Sequence, residues 1–118
     1  MSARTGQIDF IEFPGADAAT LQRVKAFYGQ AFDWEFQDWG DNYADTASSG
    51  LGAGFNAEAA QAPSQPLAVI YAAHLEQALT AVQAAGGTIT RAVFPFPGGR
   101  RFHFRDPAGN ELAVWSAT

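Results

Sequence analysis

The sequence predicts an α+β fold of two tandem βαβββ modules in one domain. Three observations predict it. The order strand, helix, strand, strand, strand can be read twice along the 118 residues, a repeat that marks duplicated architecture even where the two passes share little residue identity. Residues 56–66 ("NAEAAQAPSQP"), with two prolines and no buried periodicity, separate the passes as a linker. The composition is 47% hydrophobic with ten Phe and no Cys, enough for one core without disulfide staples. A ferredoxin-like βαββαβ sheet is the competing arrangement, and it would need fewer strands after each helix.

Module one is expected over about 7–55. "IDFIEFPG" (8–15) reads as a short strand closed by Pro14-Gly15. Asp17 occupies a helix N-cap position. Leu21, Val24, Phe27 and Tyr28 follow at helical spacing while Gln22, Arg23 and Lys25 face water, and Gly29 lies near the helix end. "FDWEFQDW" (32–39) alternates as a strand does, with Trp34 and Phe36 opposite Asp33, Glu35 and Gln37. Residues 42–55 hold two weaker strands broken at Ser48-Ser49-Gly50.

Module two is expected over about 67–118. "LAVIYAA" (67–73) is an apolar strand. The helix after it places Leu75, Ala78, Leu79 and Val82 on one face and stops at Gly86-Gly87. "TITRAVF" (88–94), "RRFHFRD" (100–106) and "ELAVWS" (111–116) are three further strands, the last two joined by the DPAGN turn.

Charge and composition remove several function classes. A formal charge of −5 and a pI near 4.7 argue against nucleic acid, which needs a basic face. Arg100, Arg101 and Arg105 are too few to reverse that, and the acidity favours a neutral or cationic ligand. No apolar run approaches the about 20 residues that span a bilayer. No signal peptide is read in "MSARTGQIDF", and the lack of cysteine fits a reducing cytosol, so a cytoplasmic protein is expected. Neither half offers a nucleophile–base pair or a dinucleotide fingerprint. "GLGAGF" precedes a linker rather than the helix N-terminus that phosphate binding uses.

"IEFPGAD…VKAFYGQAFDWEF", "HLEQALTAVQAAGGTI" and "FRDPAGNELAVW" together resemble the vicinal oxygen chelate superfamily, also called the glyoxalase/bleomycin resistance protein/dioxygenase superfamily. The resemblance covers almost the whole chain. It implies that the paired modules form a curved mixed sheet that cups a small ligand, and that the protein is a homodimer. Members that do chemistry hold a divalent metal through His, Gln or Glu on the first and last strands of the modules, in sites of about three or four ligands at roughly 2.0–2.2 Å with one position open. Carried onto this chain, those positions are Phe10, Leu67 and Ala113. None can bind a metal, so no cofactor is expected. A divalent metal stays open only through a relocated site, with Glu12 and Glu111 as ligands and His103 or a water completing the shell. Each Glu is two residues from an inherited position, about 6.6–7 Å along a strand, so the inherited site cannot simply adopt them.

Glu12, His103 and Glu111 are the catalytic candidates, as acid/base groups. Each also has a plain structural reading. Glu111, beside a turn, is expected to pair with Arg101 or Arg105. Glu12, between Ile11 and Phe13, needs a partner if buried. His74 is expected to cap the second helix or to lie on the surface. Ligand-lining candidates are Phe10, Glu12, Leu67 and Ala113, with Tyr71 and Trp115 on the parity of Leu67 and Ala113. Trp39 and Tyr43 join them as the exposed aromatics of the acidic stretch "DWEFQDWGDNYAD" (33–45). Trp34 and Phe36 there are expected to be core, although acids among aromatics also suit a cationic aromatic compound, as in the drug-binding bleomycin-resistance branch.

The function expected is therefore that of a glyoxalase-like protein which binds or sequesters a small organic molecule, cationic or aromatic, in an aromatic, partly acidic cup. The alternatives are a metal-dependent lyase, isomerase or dioxygenase with a relocated site, a metal-free acid/base enzyme, and a purely structural dimerisation module.

Overall fold

The computed structural model describes residues 4–118. It contains β1 (Ile8–Pro14), α1 (Ala18–Phe32), β2 (Gln37–Asp38), β3 (Tyr43–Thr46), β4 (Gly52–Asn56), β5 (Leu67–Tyr71), α2 (Leu75–Ala84), β6 (Thr88–Phe96), β7 (Gly99–Arg105) and β8 (Glu111–Ser116). This is an α+β fold with the order βαβββ repeated in tandem. The chain divides into two compact units, Phe10–Leu67 and the residues up to Asp9 together with Ala68–Thr118. Among the described residues no helix is long and apolar enough to cross a membrane.

The strands of the two modules follow one plan. In module one β1 runs parallel to β4, β4 antiparallel to β3, and β3 antiparallel to β2. In module two β5 runs parallel to β8, β8 antiparallel to β7, and β7 antiparallel to β6. In each module the pairing is thus mixed and the first strand pairs with the last, the parallel connection being made through the helix and two intervening strands.

In each module the strands pack one face on that module's helix. In module one Leu21 of α1 is buried with Ala44, Phe55 and Ala57, and Phe13, Val24, Tyr28, Trp34 and Phe36 close around them. In module two Leu75 of α2 is buried with Ala72, Phe102 and Val114, flanked by Ile70, Leu79, Val82, Ile89 and Phe104. Because strand side chains alternate, this leaves Phe10, Glu12, Tyr43 and Asp45 of module one, and Val69, Tyr71, Arg101, His103, Ala113 and Trp115 of module two, on the faces turned away from the helices.

Residues 32–39 differ from expectation. Phe32 is helical, α1 continues past Gly29, and only Gln37–Asp38 are paired as a strand. The helix ends at Asp33, in the left-handed region at φ 60°, whose N–H donates to the Gly29 carbonyl (3.1 Å). Trp34 then stacks on Tyr28 (4.6 Å between ring centroids), and the Glu35 N–H donates to the Ser48 hydroxyl instead of to a neighbouring strand. The alternation of Trp34 and Phe36 inward with Asp33, Glu35 and Gln37 outward is therefore real, but a helix cap produces it. Phe27 is also corrected, since it is 57% exposed.

Local polar chemistry fixes the turns. Asp17 caps α1 by accepting from the Thr20 N–H (2.7 Å). In the DPAGN turn Asp106 Oδ1 accepts from the N–H groups of Ala108 and Asn110, both at 2.9 Å, and Asp106 Oδ2 from Asn110 Nδ2 at 3.0 Å. Gly109 supplies the positive φ of 90°. Glu76 on α2 pairs with Arg100. These contacts hold three carboxyls below their ordinary values of 3.8 (Asp17, Asp106) and 4.5 (Glu76): Asp17 by the Thr20 N–H, Asp106 by the Asn110 side chain, Glu76 by hydrogen bonds from Arg100. A depressed folded-state value contributes stability above the unfolded value and loses it as pH falls through the folded value. Stability is thus expected to decline below about pH 4.5. Asp17→Ala should lower the urea midpoint at pH 7 and shrink its difference from wild type at pH 3; an unchanged acid limb would refute this.

Candidate functional site

On the helix-free face of module one, Phe10 and Glu12 on β1 lie opposite Gly52 and Gly54 on β4, and Gly54 in turn lies opposite Asp45 on β3. The glycines leave that strand without side chains there. Their place is taken by Tyr43 and Phe10: a Cβ built on Gly54 would run into the Tyr43 hydroxyl and come within 2.8 Å of Phe10 Cζ. Glu12 is 3% exposed and is engaged in this setting, as a buried carboxylate must be. Tyr43 is half-buried, whereas Trp39 is 58% exposed, its backbone N–H donating to the Tyr43 carbonyl (2.8 Å). Leu67 is buried.

The face in module two is built from aromatic rings and guanidinium groups. Tyr71, Trp115 and Arg101 stand side by side across β5, β8 and β7, and Phe94 of β6 continues the row. Tyr71 and Trp115 meet edge to face at 5.2 Å, and Phe96 meets Trp115 at 6.3 Å. The indole Nε1 donates to Asp9 Oδ1 (3.0 Å), which fixes the ring. Arg101 Cζ lies 5.3 Å from the Phe94 centroid and 5.7 Å from that of Phe96, and Arg91 Cζ lies 3.7 Å over Phe94. Tyr71 and Trp115 were readable from strand parity. Arg91, Phe94 and Phe96 were not, because β6 carries register irregularities between Ile89 and Arg91 and again between Arg91 and Phe94, and each irregularity resets the alternation.

One row along, Val69, Ala113, His103 and Arg91 are neighbours across β5, β8, β7 and β6. Ala113 is fully buried and His103 is 8% exposed, with the imidazole 5.7 Å from the Phe94 ring. Glu111 Oε2 accepts from the Thr90 hydroxyl (2.8 Å) and lies 3.6 Å from His103 Nδ1. This corrects the expected pairing of Glu111 with Arg101 or Arg105. Arg105 is its cross-strand neighbour, yet the carboxylate turns toward β6, where the irregular strand brings Thr90 within reach. Arg100, from the same RRFHFR run, is on the other face with Glu76. His74 is exposed at the N-cap of α2 and its side chain makes no capping hydrogen bond, so its place is on the surface.

The donor set does not fit a divalent metal at the inherited positions. Phe10, Leu67 and Ala113 offer hydrocarbon where such an ion needs N or O ligands. Among the described residues no three of His, Cys, Asp and Glu are grouped so as to hold one.

The comparisons with known proteins agree with this architecture. The family model described as Glyoxalase/Bleomycin resistance protein/Dioxygenase superfamily matches residues 12–114. No curated protein matches the chain. Among solved structures it is similar to NAD-dependent benzaldehyde dehydrogenase from Legionella pneumophila (TM-score 0.72, 13% identity, 91% of this chain and 96% of that one). It is similar also to methylmalonyl-CoA epimerase from Mycobacterium tuberculosis (TM-score 0.66, 11% identity, 98% and 91%). The Mn(II)-bound glyoxalase from Novosphingobium aromaticivorans gives a TM-score of 0.66 at 20% identity over 98% of this chain, which spans only 40% of that protein. At such identities the likeness is one of fold. With the family model running through both modules, the chain belongs to the glyoxalase/bleomycin resistance protein/dioxygenase superfamily.

Proposed function

We propose that this protein binds a small planar organic molecule on the helix-free face of module two, with the metal-ligand positions of its superfamily lost. Tyr71, Phe96 and Trp115 carry the reading. They touch one another at 5.2 and 6.3 Å, are half-buried, and lie on the face opposite the one that packs on α2. Rings oriented in this way offer a flat ligand contact at little entropic cost, because packing and the Asp9 hydrogen bond already restrict them. Ala113 backs that face. In module one, Phe10, Glu12, Tyr43 and Trp39 are proposed as a partly acidic, aromatic surface, and Leu67 as a further lining residue. A cytoplasmic homodimer completes the proposal, to be checked by sedimentation equilibrium and cell fractionation.

The test is a thermal-shift screen with divalent ions, thiol conjugates and planar aromatic compounds of either charge. A ligand at 100 times its Kd stabilises the native state by about 2.7 kcal/mol, a readily measured shift. At least one aromatic compound is expected to stabilise the protein and to lose that effect in Trp115→Ala, while divalent ions do not. Stoichiometric binding of one metal per chain in metal-free buffer would overturn the reading.

A second reading rests on one contact, His103 Nδ1 to Glu111 at 3.6 Å with Thr90 fixing the carboxylate. Such a carboxylate can orient an imidazole and select its tautomer, the requirement of a metal-free acid/base enzyme. Glu111→Gln would then abolish turnover of any substrate found while leaving the fold intact, whereas equal turnover would remove this reading.

A further inference from the structure

We propose that Arg91 reads an anionic group, and that the ligand of the module-two face is a planar aromatic carboxylate. This rests on the reading of that face as a ligand site and names the class of ligand it takes. The net charge of −5 favours a cation, but a ligand feels the groups within a few ångströms of it, and salt screens the rest beyond about 8 Å.

Arg91 is exposed, and its guanidinium lies over Phe94 with Cζ 3.7 Å from the ring centroid. A planar cation stacked in this way keeps its N–H groups in its own plane, at the edges, where the ring does not cover them. Among the described residues no carboxylate pairs with it. Of the acids at this site, Glu111 is already held by Thr90 and faces His103, and Asp9 accepts from the Trp115 indole. The cross-strand neighbour of Arg91 is His103, itself no source of negative charge. Arg91 is therefore a pre-oriented donor fork with its acceptor missing, the geometry that suits a bidentate carboxylate. A monoanion matches the single charge of one such fork.

The aromatic part of the ligand follows from what lies beside the fork. From Arg91 the contacts run to Phe94, through the Arg101 guanidinium to Phe96, and on to Trp115 and Tyr71. Arg91 is on β6 in the row of His103 and Ala113, and Trp115 is on β8 two residues further along, so the diagonal between them is about 12 Å. With about 2.8 Å for the ion pair at Arg91 and about 3.5–4.0 Å for the ring contact at Trp115, a two-ring acid bridges that diagonal.

The experiment uses three isosteric probes, 2-naphthoate, 2-naphthylmethanol and 2-naphthylmethylammonium, titrated calorimetrically into wild type, Arg91→Gln, Arg91→Lys and the control Arg105→Gln. Naphthoate is expected to bind wild type at least about tenfold tighter than the alcohol, with affinity falling as salt rises. Arg91→Gln should lose about that factor for naphthoate alone, Arg91→Lys should recover part of it as a point charge without the fork, and Arg105→Gln should match wild type. Arg91 is exposed, so these variants are expected to melt like wild type. Naphthoate binding unchanged by Arg91→Gln, or an ammonium or alcohol bound as tightly, would overturn the proposal while leaving the face a ligand site. Failure of all three probes on wild type would overturn both.

Discussion

Phe102→Ala is expected to reduce the free energy of unfolding by about 3–5 kcal/mol, the range for a buried phenylalanine truncated in a core. Phe102 has no exposed surface. It lies opposite Val114 in the pairing of β7 with β8, and packs in the cluster of Ala72, Leu75 and Val114 against which Leu79 and Val82 close. Removing the ring forfeits its transfer energy and leaves a void, because its neighbours belong to rigid elements on both sides, the sheet and α2, that cannot collapse together without breaking other contacts. Against a typical total of about 5–15 kcal/mol, the loss would leave a barely stable protein. Urea denaturation checks it: the midpoint should fall with the slope unchanged. Phe27→Ala is the control. Its ring is 57% exposed, so the change should stay within about 0.5 kcal/mol. A cost for Phe102→Ala below about 1.5 kcal/mol would mean that this core is misassigned.

What could be read from the sequence was what local chemistry decides. Asp17, the DPAGN turn and the Gly86 stop each act within a few residues, and each forms as its side chains require. The apolar parity of β7 and β8 could be read because those strands pair without interruption. The failures have equally definite causes. In residues 33–36 a helix cap and a Ser48 hydrogen bond imitate strand alternation. For Glu111, charge and chain proximity favour an arginine partner, while the irregular path of β6 delivers Thr90. Arg91 and Phe94 escaped notice for the same reason. A chain-wide charge is likewise a sum, and it hides a face on which guanidinium groups and rings are neighbours.

Ala113→Glu places a carboxylate where the superfamily resemblance expects a metal ligand, and it is expected to destabilise the protein by more than about 3 kcal/mol at pH 7. Ala113 is fully buried between Val69 on β5 and His103 on β7. A longer side chain must displace packed neighbours, a cost of about 1–3 kcal/mol, and its ionised form would lose hydration without a prepared partner. Ala113→Gln separates the two contributions, being similar in volume and uncharged. Burial should raise the folded-state pKa of the introduced carboxyl above its unfolded value. The charge-dependent part of the penalty should then be absent below about pH 4, grow as pH rises from there, and level off above the folded value. Mn(II) or Zn(II) should not restore stability, because Phe10 and Leu67 supply no donor and one carboxylate does not make a metal site. Rescue by either ion, with one metal bound per chain, would show that the ligand shell survives elsewhere and needs only this residue. Equal stability of Ala113→Glu and Ala113→Gln across pH would show that the position is open to water, and that the hydrocarbon now filling it is not what keeps an ion out.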